Sequence, residues 1–510
     1  MSTTITENNK RIAKNTLMLY IRMFLSMAIA IYTSRVILDK LGVVDYGIYN
    51  VVGGIVALFS FINNSMSGAT SRFLTYELGT GNLSKLIQTF RATFTIHLLL
   101  AIVLFIIAET VGVWILNTQL TIPIDKMESA NWAFQFSILT ACLSICQVPF
   151  NASIIAHEKM NFYAYVEIVN VVLKLVILYL LVIFPLDRLI VYAALVLCVH
   201  GLIFLAYFIF TKLKFNEISP KLIWNKSLMA PILSFSGWDL YGYFGVVTNM
   251  QGTNLFLNAF LGPVVNAANG IALQVQSAVN ALATNLIMAV RPQIVKSYAG
   301  GDISYMNYLL YNISKYATLL LSCITVPLVI NMPFILDIWL KEVPQYTIEF
   351  CRLALISNCI QIINLCLNCA IHATGKMKFI SSVTGSMYLL TSFISYLCLR
   401  NGMSPQIVYV NQLLCVIVMV GFTMYTLKKG ISQFSILDFF SKVVFKDICI
   451  ILISMLFPLI VYYNIEQGWL CLIVTSAISV ISMSIFIYFI GMSKSEKRTV
   501  FNFISSKFNK

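Results

Sequence analysis

Leu41-Gly42-Val43-Val44-Asp45-Tyr46-Gly47 is a short polar turn set between two long apolar runs. The run before it starts near Ile12 and carries Arg22 in its middle, and the run after it ends at Ser71-Arg72-Phe73. Each run is long enough to cross a hydrocarbon core of about 30 Å as a helix. The stretch therefore reads as a helical hairpin through a membrane, and the rest of the chain repeats the material.

Composition agrees. Apolar residues make up 59% of the 510 residues and charged residues only 11%, against roughly 25% charge in a soluble domain. The apolar runs are continuous rather than alternating, which excludes a β-barrel. The spacing predicts fourteen spans at 12–37, 46–72, 90–116, 130–155, 161–185, 189–211, 229–258, 264–290, 305–330, 346–372, 377–400, 405–427, 446–464 and 468–491. The first run is too long for a signal-peptide core and lacks a small-residue cleavage site, so it reads as a retained span.

The net charge of +14 follows topology and gives no reason to expect nucleic acid. Twenty-four Lys and Arg fall on the side of the N-terminus, seven on the opposite side and three inside spans. The positive-inside bias then places both termini in the cytoplasm.

An internal repeat appears at an offset of 220 residues. Leu41-Gly42 matches Leu261-Gly262, and Gly81-Asn82-Leu83-Ser84 matches Gly301-Asp302-Ile303-Ser304. The expected architecture is all-α: a lobe of six spans over 1–211, a lysine-rich loop at 212–228, a second six-span lobe over 229–427, and two extra spans with a tail over 428–510. In such parallel repeats the substrate path lies between the halves.

Polar residues recur at spacings of three, four and seven, which puts them on one face of each helix. Asn50 and Asn64 lie on span 2, Gln276 and Asn280 on span 8, Gln361 and Asn364 on span 10. Lipid does not tolerate such a face, so it meets other helices or a wet lumen. The lumen reading makes these six its polar lining. The alternative is interhelical hydrogen bonding.

Three cations sit deep in spans: Arg22, Lys174 and Lys315. Arg22 lies about 15 Å into its helix at 1.5 Å per residue. Two acids are available at depth, Glu167 on the face of Lys174 and Asp239, which could pair with Arg22 or Lys315. The imbalance predicts an anionic substrate, with Arg22, Lys315 and Lys174 as its ligands. Arg72 and Arg291, at matched span ends, would form an entrance funnel for phosphate. Asp239 and Glu167 are the candidates for ion coupling.

No catalytic constellation is present. The four histidines are scattered, no phosphate-binding loop of the G-x-x-x-x-G-K-[ST] kind occurs, and no cofactor or metal is expected. Cys366-Leu-Asn-Cys369 lies inside a span and reads as packing.

The first hairpin also resembles a known family. Tyr32-Thr33-Ser34-Arg35-Val36-Ile37-Leu38, Asp45-Tyr46-Gly47-Ile48-Tyr49-Asn50-Val51-Val52-Gly53-Gly54 and Ala69-Thr70-Ser71-Arg72-Phe73 are similar to the polysaccharide-biosynthesis branch of the multidrug/oligosaccharidyl-lipid/polysaccharide exporter superfamily, the branch of the O-antigen flippases. The resemblance implies a two-lobe, MATE-like transporter of twelve to fourteen helices working by alternating access. Its implied cargo is an undecaprenyl-pyrophosphate-linked oligosaccharide, crossing the bacterial inner membrane. The lipid bilayer, a polysaccharide polymerase and glycosyltransferases are its implied partners. Family members have cationic lumens, a pattern that Arg22 fits. The drug-exporting branch carries an acid in its first span, where this chain has none. A lipid II flippase and a drug:cation antiporter are the alternatives.

Overall fold

The computed structural model describes residues 14–26, 29, 48, 60–118, 122–181, 187–340, 342–431, 433–493 and 496–497. The turn at Leu41–Gly47 lies outside them. Every regular element among the described residues is a helix. In chain order these are α1 (residues 14–26), α2 (Ser60–Thr80), α3 (Leu83–Thr118, with a π turn at Ala108–Gly112), α4 (Met127–Ala156), α5 (Met160–Leu180), α6 (Arg188–Lys214), α7 (Lys226–Leu261) and α8 (Pro263–Ala299). They continue as α9 (Ile303–Ile330), the short α10 (Met332–Trp339), α11 (Thr347–Thr374), α12 (Met377–Arg400), α13 (Ile407–Gly430), α14 (Ile436–Asn464) and α15 (Trp469–Gly491).

Eleven of these helices are long and apolar enough to span a bilayer, so this is a multi-pass membrane protein. α1, α2 and α7 occupy the positions of the other three expected spans. α2 and α7 are dilute in apolar residues because each carries many Ser, Thr, Asn and Gly. Several helices outrun the predicted spans: α2 continues to Thr80 and α3 begins at Leu83. Hydropathy marks only the stretch that needs lipid, whereas a helix continues wherever its backbone groups stay paired.

The repeated turn has one geometry in both places. Gly81 and Gly301 sit at φ 73° and 78°, a region open to glycine at little steric cost. The next residue caps the following helix: Asn82 accepts from the Lys85 amide at 3.0 Å, and Asp302 from the Tyr305 amide at 2.9 Å.

The chain divides into two compact units, Met1–Tyr243 with Arg291–Gly301, and Phe244–Val290 with Asp302–Lys510. α7 and α8 each contribute residues to both. In the first unit, Phe150 of α4 is surrounded edge-on by Phe90, Phe94, Phe204 and Phe208 at centroid separations of 5.5–6.0 Å. Such pairs add about 0.5–1.5 kcal/mol each beyond burial.

In the second unit α11 is the central helix, with Phe350, Leu355, Cys366, Leu367 and Ala370 fully buried. Cys366 and Cys369 are free thiols packed in this core. α14 and α15 pack on α9 through Ile450 and Met483 against Leu319, Val326 and Ile330. α7 and α12 touch backbone to backbone: a Cβ on Gly245 would lie 2.5 Å from the Gly385 carbonyl oxygen. One heptad on, a Cβ on Gly252 would meet Ser392 Oγ at 3.1 Å. Small residues at this spacing let two helices approach closely in a membrane.

Candidate functional site

That close approach helps to shape a cavity within the second unit. Its volume is about 480 Å³, within the range of roughly 300–1,000 Å³ usual for small-molecule sites. Each wall is one helical stripe. α7 supplies Val246, Asn249, Met250 and Thr253; α8 supplies Asn269, Leu273, Gln276, Ser277 and Asn280; α11 supplies Ser357, Asn358 and Gln361; α12 supplies Tyr388; and α13 supplies Tyr409, Gln412 and Val416. The positions on a given helix differ by one, three, four or seven, the spacing of a single face.

The lining contains seven carboxamides and no charged side chain. Four of the amides are held by protein partners. Asn249 Nδ2 donates to the Tyr388 carbonyl at 3.3 Å. Asn269 donates to Asn254 at 2.5 Å and accepts from the Tyr409 hydroxyl at 2.6 Å. Gln276 Nε2 donates to the Ala354 carbonyl at 3.4 Å, and Asn358 Nδ2 to the Gln276 carbonyl at 3.1 Å. The side chains of Asn280 and Gln412, on two different helices, make no such bond among the described residues, and the Gln361 side chain interacts with that of Tyr388. Gln361 Oε1 and Ser357 Oγ are buried without a hydrogen-bond partner there. A buried polar atom left unpaired costs on the order of 1–3 kcal/mol, which a hydrogen-bonding ligand would recover.

The first unit holds two of the three deep cations, Arg22 and Lys174. Arg22 is half-buried, with its guanidinium 5.0 Å from the centre of the Tyr163 ring. Tyr163 and Tyr207 lie within electrostatic reach of Arg22 and Glu167, and His200 within reach of Lys174. Glu167 and Lys174 sit two turns apart on α5 and interact without closing to an ion pair among the described residues. Asn170 Oδ1 is buried there without a hydrogen-bond partner, and the Tyr207 hydroxyl faces Glu167. Nearer the α8 end, Asp239 Oδ2 and Arg291 Nη2 both crowd Gly68, at 3.7 and 3.9 Å from where its Cβ would stand.

Against this geometry the chain was compared with known proteins. No protein-family model and no curated protein matches it. Solved structures do match. A MATE transporter in the straight conformation aligns with a TM-score of 0.70 at 12% identity, covering 83% of this chain and 96% of that one. The Vibrio cholerae MATE transporter VcmN in the bent form aligns at 0.66 and 16%, covering 84% and 98%. A Pyrococcus furiosus transporter of the MOP superfamily, described as having a binding pocket of reverse polarity, aligns at 0.67 and 11%, covering 81% and 96%. The chain has the MATE fold.

Within this MATE fold, the expected site residues separate. Gln276, Asn280 and Gln361 do meet in one cavity. Asn364 does not line it. It is 4% exposed and accepts from the Thr423 hydroxyl at 2.6 Å, so it serves helix packing. Asn50 and the side chain of Asn64 lie outside the described residues.

Lys315 corrects the expectation of a cation short of partners. Its ammonium reaches Glu496 at 3.0 and 3.2 Å and the Gly491 carbonyl at 3.1 Å. The long stem carries the charge away from its own backbone level to the end of α15. Asp239 neighbours Arg291, rather than pairing with Arg22 or Lys315 as expected. Arg72 is 8% exposed and lies over Phe73, Tyr76 and Phe235 at 4.5, 4.9 and 6.0 Å, an aromatic enclosure rather than an open funnel.

Asn269, on the polar face of span 8, also lines the cavity, whereas sequence reasoning missed Asn249, Asn358, Gln412 and the two tyrosines. The signal for Gln412 was present: Tyr409, Gln412 and Val416 keep helical spacing on one face. Also missed was Glu158, whose buried carboxylate meets Lys296 at 2.7 Å and Gln293 at 2.5 Å.

Proposed function

We propose that this chain is a flippase for a polyprenyl-diphosphate-linked oligosaccharide in a bacterial inner membrane, with both termini cytoplasmic. One observation carries the reading: the charge-free cavity lined by carboxamides, hydroxyls and two tyrosines. Sugars present many donors and acceptors and no charge, and amides offer both functions in one side chain. A cationic drug would find no counter-charge there, and burying an unpaired charge is costly.

The diphosphate is assigned to Lys174 and Arg22 in the first unit. Lys174 is half-buried and its nearest carboxylate, on Glu167, does not neutralise it at ion-pair distance. The Asn170 amide has hydrogen-bonding capacity to spare there. Polymerases and glycosyltransferases of the same glycan are the expected partners.

The test is transport of a defined lipid-linked glycan in reconstituted vesicles, with and without a proton or sodium gradient. Gln361→Leu and Gln412→Leu should abolish glycan movement, and Lys174→Ala should abolish it for a diphosphate carrier. Normal transport by all three variants overturns the proposal. The shared fold keeps a drug:cation antiporter as the second reading. That reading requires Asp239 or Glu167 for export of a cationic dye from the same vesicles.

A further inference from the structure

The one acid on α11, α12 and α13 is Glu349, in the first turn of α11 and at the opposite end of that helix from Thr374. Between Glu349 and Asp438 the sequence contains neither Asp nor Glu. The ends of these helices on the side of the termini nevertheless hold four lysines: Lys376 and Lys378 before and within α12, Lys428 and Lys429 at the end of α13. No acid on the three helices lies at that end.

Two of the four line a cleft. It has a volume of about 270 Å³, and its walls include Thr374, Lys376, Phe379, Tyr425, Leu427 and Lys429. Lys376 and Lys429 are exposed and make no ion pair among the described residues. The two threonines are already satisfied: Thr374 donates to the Ile371 carbonyl at 2.8 Å and Thr426 to the Phe422 carbonyl at 2.7 Å. The polar chemistry left to a ligand is therefore two ammonium groups. Beside them Phe379 and Tyr425 are 48% and 54% exposed; Phe379 is an apolar wall, and Tyr425 is an amphipathic ring of the type that sits at a membrane interface.

We propose that this cleft binds the phosphate headgroup of an anionic phospholipid in the leaflet facing these helix ends. The two lysines flank the phosphate, and the aromatic rings hold the start of the acyl chains. Basic pockets between helix ends on the cytoplasmic side recognise such headgroups through this combination of charge and apolar wall. The site is separate from the glycan cavity and does not depend on the transport reading.

The test is native mass spectrometry of the full-length protein titrated with phosphatidylglycerol, phosphatidylcholine or inorganic phosphate. Phosphatidylglycerol should bind more tightly than phosphatidylcholine. The combined variant Lys376→Ala/Lys429→Ala should weaken it by about tenfold or more, from roughly a factor of five per lysine. Lys376→Arg/Lys429→Arg should retain the affinity. Both side chains are exposed, so the alanine variant should keep the thermal midpoint of the parent. Equal binding of the two lipids, an unchanged affinity in the alanine variant, or full occupancy by inorganic phosphate alone would each overturn the proposal. So would a short polyprenyl diphosphate binding more tightly than phosphatidylglycerol, which would make the cleft a dock for cargo.

Discussion

Lys296 Nζ lies 2.7 Å from Glu158 Oε1, and the carboxylate is fully shielded from solvent while the lysine keeps about a quarter of its side chain in contact with it. Glu158 itself stands in the turn after α4 at φ 58°. Its backbone carbonyl accepts from Asn15 at 3.3 Å, so one residue ties α1, α4 and the end of α8 together within the first unit. The pair is asymmetric, and so are the expected losses. Lys296→Ala removes the ammonium 2.7 Å from a fully buried carboxylate and should cost about 3 kcal/mol. Glu158→Gln leaves a lysine that can turn to water and should cost less. Thermal unfolding in detergent measures the order; equal losses would contradict it.

Gly245→Val should be far more damaging than its position in a long helix implies. The new Cβ would fall 2.5 Å from the Gly385 carbonyl oxygen and 2.6 Å from its Cα, both backbone atoms that cannot swing away. α7 and α12 must separate, and Asn249 then loses its bond to the Tyr388 carbonyl. Gly201→Ala is the matched control, since nothing lies within 4 Å of its Cβ position. It should raise stability by up to about 1 kcal/mol through helix propensity.

Gln361→Leu separates stability from transport. Gln361 Oε1 is buried without a partner among the described residues, so replacing it with carbon removes an unmet acceptor, a gain that offsets the lost contact with the Tyr388 side chain. The thermal midpoint should hold or rise while glycan movement falls. A large loss of stability would show that the amide is structural.

Acid should release the C-terminal tail. Burial pushes the Glu496 carboxyl up, but the Ser493 amide and the Lys315 ammonium outweigh it and hold it below the usual carboxylate range. A carboxyl so lowered contributes its stability in full above the unfolded value of roughly 4.3, and loses it as the pH falls through the folded value below that. Proteolysis of the tail should therefore accelerate below about pH 4. Glu496→Gln should remove that dependence and leave the tail labile at neutral pH.

The order of helices was legible because their signals are local. A run of apolar residues, a glycine with its capping Asn or Asp, and a bias of lysines each act over a few residues. So the repeated turn at Gly81-Asn82 and Gly301-Asp302 could be found from letters alone. Part of the cavity was legible for the same reason, since Gln276, Asn280 and Gln361 keep helical spacing.

Partnership was not legible, because it depends on distances between residues far apart in the chain. Lys315 looked short of counter-charge until α15 brought Glu496, 181 positions away, to its ammonium. Asn364 and Gln361 share a helix and a carboxamide side chain, yet one is spent on Thr423 and the other opens on the cavity. The sequence by itself determined an all-helical membrane protein with polar faces. Tertiary packing decided which of those polar groups are satisfied and which are left for a ligand, because a side chain's free hydrogen bonds depend on its neighbours in space.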